Sequence, residues 1–155
     1  MIDVKDDTNV VYLRGELDEN MEFSHEIFGE KFFNAKIKIN RLSESYDILP
    51  LTVSERLLQD IDIKSNNKVN VIGQLRSYNK NIDNRNRLVL TVFVREIKQV
   101  EDENKDPNSI FLDGYICKEP IYRKTPLGRE ITDLLVAINR PYNKSDYIPS
   151  IVWGR

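Results

Sequence analysis

Over the first hundred residues apolar and polar side chains alternate with a period of two, as strands with one buried face do. In residues 30–39, Ala35, Ile37 and Ile39 interleave with Asn34, Lys36 and Lys38, and residues 10–17 form an earlier strand of similar character. A third strand, residues 46–53, runs into Ser54, a good helix cap, after which Leu57, Leu58 and Ile61 fall at helical spacing. That predicts a short helix over residues 54–61. Residues 68–78 and 87–97 then read as two strands joined by a polar, Asn-rich hairpin loop. Residues 101–108 contain a proline and no apolar side chain, which predicts a linker, and a strand pattern resumes at Ile110.

Five strands with one short helix between the third and fourth is the order of the five-stranded Greek-key OB barrel, so the expected class is all-β. The first OB domain is expected over residues 1–100. A gap-free shift of 99 residues then superimposes the chain on itself. Leu13, Gly15 and Gly29 match Leu112, Gly114 and Gly128; Ile39-Asn40-Arg41 matches Ile138-Asn139-Arg140; Asp47, Pro50, Val53 and Arg56 match Asp146, Pro149, Val152 and Arg155. Ten of 44 aligned positions agree, where unrelated sequence would give about two or three. Residues 109–155 therefore read as the N-terminal half of a second OB fold, its first three strands. Three OB strands alone would leave an open edge and half a core in water. Either the chain is expected to be a fragment of a longer protein, the favoured expectation, or another chain completes the sheet.

With 40% apolar and 31% charged residues in 155, the chain can bury a core. No apolar run approaches the roughly 18 residues of a membrane span, and the first residues are acidic where a secretory signal would be basic, so a cytoplasmic location without membrane contact is expected. Cys117 is the sole cysteine and His25 the sole histidine. They leave no disulfide within the chain and poor material for a metal site or a Ser-His-Asp triad. Phosphate-binding glycine loops are absent too, so the expectation is a binding protein without cofactor or metal, not an enzyme. The net charge of −2 hides a slight asymmetry: residues 106–155 carry 7 Lys+Arg against 6 Asp+Glu, while residues 1–105 carry 16 against 19.

Two stretches resemble the bacterial single-stranded DNA-binding protein family. Leu112-Asp113-Gly114, Arg123-Lys124-Thr125-Pro126-Leu127-Gly128, Leu134-Leu135-Val136-Ala137-Ile138-Asn139-Arg140 and the run from Asp146 to Trp153-Gly154 are similar to the opening "L-x-G" strand, the "Y-T-P-x-G" turn, the "F-x-L-A-x-N-R" strand and the third strand with its aromatic-Gly end. Val71-Ile72-Gly73-Gln74-Leu75-Arg76 resembles the "V-x-G-x-L-R" of the fourth. The resemblance implies sequence-tolerant binding of single-stranded DNA in replication, recombination or repair. Bases would stack on Tyr142, Tyr147 and Trp153, with Arg123, Lys124, Arg129, Arg140, Lys144 and Arg155 beside them for phosphates. Ser43, Ile48 and Ser54 stand at the equivalent aromatic positions of the first repeat. That leaves it weaker contacts, with Arg41, Arg76 and Tyr78 as candidates and Arg85, Arg87 and Arg95 behind them. The resemblance further implies a homo-oligomer, satisfied by a dimer of two-barrel chains.

Other readings compete at particular residues. Tyr12, Phe32 and Phe93 are expected in the core. Asn139-Arg140 could serve its turn or DNA equally, and Arg85 and Arg87 could be simply solvated. Replication proteins are a second class of partner: the barrels could act as an assembly module, and burial of Tyr142, Tyr147 and Trp153 against protein would favour that. Oligosaccharide binding would want amides or carboxylates beside the aromatics, where the chain places cations.

Overall fold

The computed structural model describes residues 7–102 and 108–154. Eleven strands follow in order among them: β1 (Asn9–Leu17), β2 (Glu22–Ile27), β3 (Glu30–Asn40), β4 (Tyr46–Ser54), β5 (Lys68–Ile82), β6 (Arg85–Gln99), β7 (Ser109–Leu112), β8 (Tyr115–Ile116), β9 (Ile121–Lys124), β10 (Glu130–Arg140) and β11 (Lys144–Trp153). The chain gathers into two compact units. One comprises residues 10–75 and 90–111; the other brings residues 7–9 and 76–89 together with 112–154. Most of the expected linker, residues 103–107, and Arg155 lie outside the described residues.

The first unit holds a barrel of the expected all-β OB class. Its sheet runs β2-β3-β4-β6-β5-β1-β7 and closes because β1 also pairs with β3. Strand β1 serves two partners by bending: Val11 to Glu16 pair with β5, while Glu16 and Leu17 pair with Lys38 and Ile37 of β3. Gly15 sits at that bend, where a Cβ would lie 2.1 Å from the carbonyl oxygen of Lys38. The other seam is parallel, Leu51 and Thr52 of β4 against Val92 and Phe93 of β6, with the Thr52 and Thr91 hydroxyls hydrogen-bonded at 2.9 Å inside it. Alternation along each strand delivers Val11, Leu13, Ala35, Ile37, Ile39, Leu51, Val53, Val69, Val71, Val92 and Val94 to one core.

The structure corrects two details. The helix expected over residues 54–61 is a single 3₁₀ turn, Glu55–Leu58, with the Ser54 hydroxyl accepting from the Arg56 amide at 3.3 Å. Beyond it the Asp62 carboxylate accepts from the Lys64 amide at 3.2 Å and the Asp62 carbonyl from the Asn66 amide at 3.1 Å. These turn bonds compete with helix propagation, which outweighs the spacing of Leu57, Leu58 and Ile61. Strand β2 was not expected: its mixed polar sequence shows no alternation, and it forms because Phe28 and Gly29, both at positive φ, make the tight turn that folds it onto β3.

The second unit's sheet is centred on β10. Strand β11 pairs with β10 along its whole length on one side, and β8 and β9 share the other side. Strands β8, β10 and β11 stand where the three OB strands of the second repeat are expected, β9 stands at the place of β2, and the repeat extends to local geometry. Gly29 and Gly128 have φ of 82° and 80° in equivalent turns. A Cβ on Gly114 would lie 2.4 Å from the Ala137 carbonyl oxygen, and Ala137 is the counterpart of Lys38. The strand-one equivalent is divided, however: β7 extends the larger sheet beside β1, and β8 enters the smaller one.

Candidate nucleic-acid interface

Register sorts the side chains of the second sheet onto two faces, since residues directly opposite across a ladder share a face and neighbours along a strand do not. On one face lie Ile138, Ile148 and Asp146, all buried. On the other, Tyr147 and Tyr115 flank Ala137, one from each side, and Trp153 and Arg123 flank Ile131, which is itself buried. Tyr115, Tyr147 and Trp153 are exposed at 69%, 44% and 56%. Three exposed aromatic side chains thus share one face of a four-strand sheet.

Tyr142 joins them from the turn between β10 and β11. It is 94% exposed and, with Asn143, adopts positive φ, 67° and 57°. A bulky side chain in left-handed backbone costs energy that Gly or Asn would avoid, and such strain concentrates at functional sites.

The expected cations fall into distinct settings. The Arg129 guanidinium lies 5.8 Å from the Trp153 ring centroid, within cation–π range. Lys124 and Lys144 are exposed. Arg123 hydrogen-bonds Asp133 at 2.6 and 3.3 Å; this bond holds the Asp133 carboxyl below its ordinary range and raises the guanidinium pKa further. Arg140 pairs with the buried Asp146 at 2.9 Å, which ties its guanidinium to the turn. Arg76 is half-buried, whereas Tyr78, two residues further along the same hairpin, is exposed. These ten candidates share the second unit; Arg41 belongs to the first, paired with Asp47 at 2.8 and 2.5 Å.

Sequence reasoning missed Tyr115 and Tyr122. The signal for Tyr115 was its place directly after the repeat-matched Gly114, on the strand that must lie beside β10. The Tyr122 hydroxyl donates to Glu130 at 2.8 Å, and that bond raises its pKa; Tyr122 points to the face opposite Trp153. Of the aromatics expected in the core, Phe32 is buried, and Tyr12 and Phe93 are half-buried; Phe32 stacks on His25 at 4.8 Å between centroids. Among the described residues no three His, Cys, Asp or Glu side chains converge as a metal site, and no helix is long and apolar enough to cross a membrane.

No protein-family model matches the chain, and neither does any curated protein sequence. Solved structures do. The chain is similar to wild-type single-stranded DNA binding protein from Thermus aquaticus, at 17% identity over 94% of this chain and 73% of that one, with a TM-score of 0.67. A deletion mutant of the same protein gives 18% identity and a TM-score of 0.66, over 94% and 75% of the two chains. At that identity the likeness establishes the OB fold. The N-terminal domain of PriB protein from Thermoanaerobacter tencongensis, a dimeric structure, is 43% identical over 62% of this chain and 100% of its own length, with a TM-score of 0.53. With the barrel, the repeated Gly and Arg–Asp geometry and a relative this similar over its whole length, the chain belongs to the bacterial OB-fold family of single-stranded DNA-binding-protein-like chains that includes the PriB N-terminal domain.

Proposed function

We propose that this protein binds single-stranded DNA without sequence preference, stacking bases on Tyr115, Tyr142, Tyr147 and Trp153 and holding phosphates with Arg129, Lys124 and Lys144, with no cofactor. The observation that carries the reading is the single open face bearing Tyr115, Tyr147 and Trp153. Each stacked base contributes about 1–3 kcal/mol, and every base has a face to offer, so such a platform is tolerant of sequence. Arg123, Arg140 and Arg41 spend charge on Asp133, Asp146 and Asp47, and contribute less to phosphate binding than unpaired cations would. The similarity to a protein named for binding single-stranded DNA supports the reading. Replication, recombination and repair are the processes it would serve, and a dimer of two-barrel chains fits the dimeric relative.

A titration of the chain with oligo-dT at two salt concentrations, following Trp153, the sole tryptophan, tests this. Quenching is expected, with log K falling by about 0.7 per phosphate contact for each tenfold rise in salt. An unchanged tryptophan signal and no binding by the folded chain would sink the proposal. A second reading has its own observation: Ile151, Val152 and Trp153 form an exposed, apolar strand end. That surface suits protein, a second copy or a replication partner, and concentration-dependent self-association with no DNA effect would favour it.

A further inference from the structure

An open groove of about 330 Å³ lies on the first unit. Its floor is apolar: Met21 from the β1–β2 connection, Phe33 from β3, Leu58 from the 3₁₀ turn, and Ile61 and Ile63 from the loop beyond it. All five are half-buried. They pack on the barrel core with part of their surface and line the groove with the rest. The early stop of the 3₁₀ turn leaves Ile61 and Ile63 on irregular chain beside the groove instead of on a packed helix. The apolar surface continues onto β2, where Phe23, 58% exposed, meets Phe33 edge-on at 6.1 Å between ring centroids.

Two exposed carboxylates line the same groove, Glu19 on the β1–β2 connection and Glu55 at the start of the 3₁₀ turn. Among the described residues no ion pair engages either one. Glu30 differs: it accepts from the Ser54 hydroxyl at 2.6 Å and meets Arg56 at 3.7 Å, which occupies the cation that follows Glu55 in the chain. Beyond Glu19 the surface becomes mixed, with Glu16 and Asp18 beside Lys36 and Lys38, so the unneutralised charge is local to the groove. An apolar floor with two such carboxylates disfavours phosphate and suits an occupant of the opposite pattern, apolar in the middle and cationic at its flanks. A volume near 330 Å³ is at the low end for small-molecule sites, about 300–1,000 Å³. The surface also runs past the groove, over Phe23 to the outer edge of β2, a strand that pairs only with β3 among the described residues. That extent suits a stretch of polypeptide better than a compact ligand.

We propose that this groove is a docking site for a peptide segment of a partner protein, one that carries apolar anchors flanked by lysine or arginine. The anchors lie against Met21, Phe33, Leu58 and Ile63, the flanking cations meet Glu19 and Glu55, and Phe23 extends the contact along β2. The site goes beyond the single-strand-binding reading and shares none of its residues, so the two stand or fall separately.

Anisotropy titrations of the full chain with three dye-labelled synthetic peptides test it: one of leucine and lysine, one with the same leucines and glutamate in place of lysine, and one of alanine and lysine. The leucine–lysine peptide is expected to bind, and to shift the amide NMR signals of Met21, Phe33 and Ile63 while leaving that of Tyr147 in place. The double variant Glu19→Gln with Glu55→Gln is expected to weaken it about 3- to 30-fold, a difference that shrinks in about 1 M salt. Phe23→Ala is expected to weaken it about 5-fold. All three substituted residues are exposed, so the variants should keep the native unfolding midpoint and the native behaviour toward oligo-dT. Absence of binding by the leucine–lysine peptide to the folded native chain overturns the site, and equal binding of either control peptide overturns the chemistry assigned to its occupant. Shifts at the same amides on concentrating the chain without peptide give the groove to a second copy, and a parallel loss of oligo-dT affinity in the Gln variant gives it to nucleic acid; either result overturns the proposal. Selective peptide binding by a chain that does not bind oligo-dT supports the groove while sinking the single-strand reading.

Discussion

Val53 and Val152 are the same residue at equivalent positions of two repeats, and one is fully buried while the other is 51% exposed. The difference runs along the strand. Leu51, Thr52, Val53 and Ser54 line the closed seam between β4 and β6, whereas Ile151, Val152 and Trp153 lie open at the end of β11. In the first repeat a strand lies against this segment and the side chains are small or aliphatic. In the second, among the described residues, the segment has no strand over it and carries a tryptophan. Closure and ligand contact place opposed demands on one strand: a side chain that seals a core cannot also offer its face to a base. Among the described residues the first repeat closes a barrel over this segment, while the second leaves Ile151, Val152 and Trp153 exposed.

The sharpest way to break that comparison is at the paired glycines. Gly15 and Gly114 face equivalent carbonyl oxygens, those of Lys38 and Ala137, at distances no Cβ can tolerate. Gly15→Ala is expected to cost about 3 kcal/mol, because a closed ring offers β1 nowhere to move. Gly114→Ala should cost less, since β8 is a two-residue strand, Tyr115–Ile116, flanked by single hydrogen bonds at Asp113 and Cys117 rather than a long ladder, and can yield. Denaturant unfolding followed by far-UV circular dichroism, with Trp153 emission reporting on the second sheet, reads both; equal losses would show the second sheet to be as tightly constrained as the barrel.

A smaller effect separates the two valines. Val53→Ala removes two buried methyl groups from the core and is expected to cost about 2 kcal/mol, while Val152→Ala should stay within about 0.5 kcal/mol. A loss at Val152 comparable to that at Val53 would mean that another surface covers β11 in solution, which is the protein-docking alternative.

Much of this was legible in the sequence because period-two alternation and the 99-residue repeat are strong signals. Ala35, Ile37 and Ile39 announced a strand, and the core confirms them. Tyr147 and Trp153 are separated by an even number of residues, which already places them on one face. What could not be read depends on where strands lie across the sheet. Tyr115 becomes part of the platform only because β8 pairs with β10 in the register that sets it beside Ala137. Arg140 stood evenly between turn and DNA; its pairing with buried Asp146 gives it a structural task. The helix expected over residues 54–61 stops after one 3₁₀ turn for a local reason: Asp62 and Asn66 form competing turn bonds just beyond it.

The mildest test concerns the exposed ion pairs. The hydrogen bond from Arg41 holds the Asp47 carboxyl below the ordinary value of 3.8, and Arg123 does the same for Asp133. A carboxyl whose pKa is lowered in the folded state binds protons more readily when unfolded, so it favours folding above the ordinary pKa, and that contribution disappears as pH falls through the folded value. Native protein is therefore expected to exceed Asp47→Asn and Asp133→Asn slightly in stability near neutrality and to converge with them as pH falls through the lowered folded-state values. Both pairs are open to water, so the margin is small and should shrink in about 1 M salt, where the screening length falls to about 3 Å. Carbon-detected titration of the carboxyl groups gives a direct reading. Midpoints for Asp47 and Asp133 below 3.8, moving upward with salt, would identify both as surface pairs; midpoints at the ordinary value would show that neither persists in solution and would leave Arg123 free for phosphate.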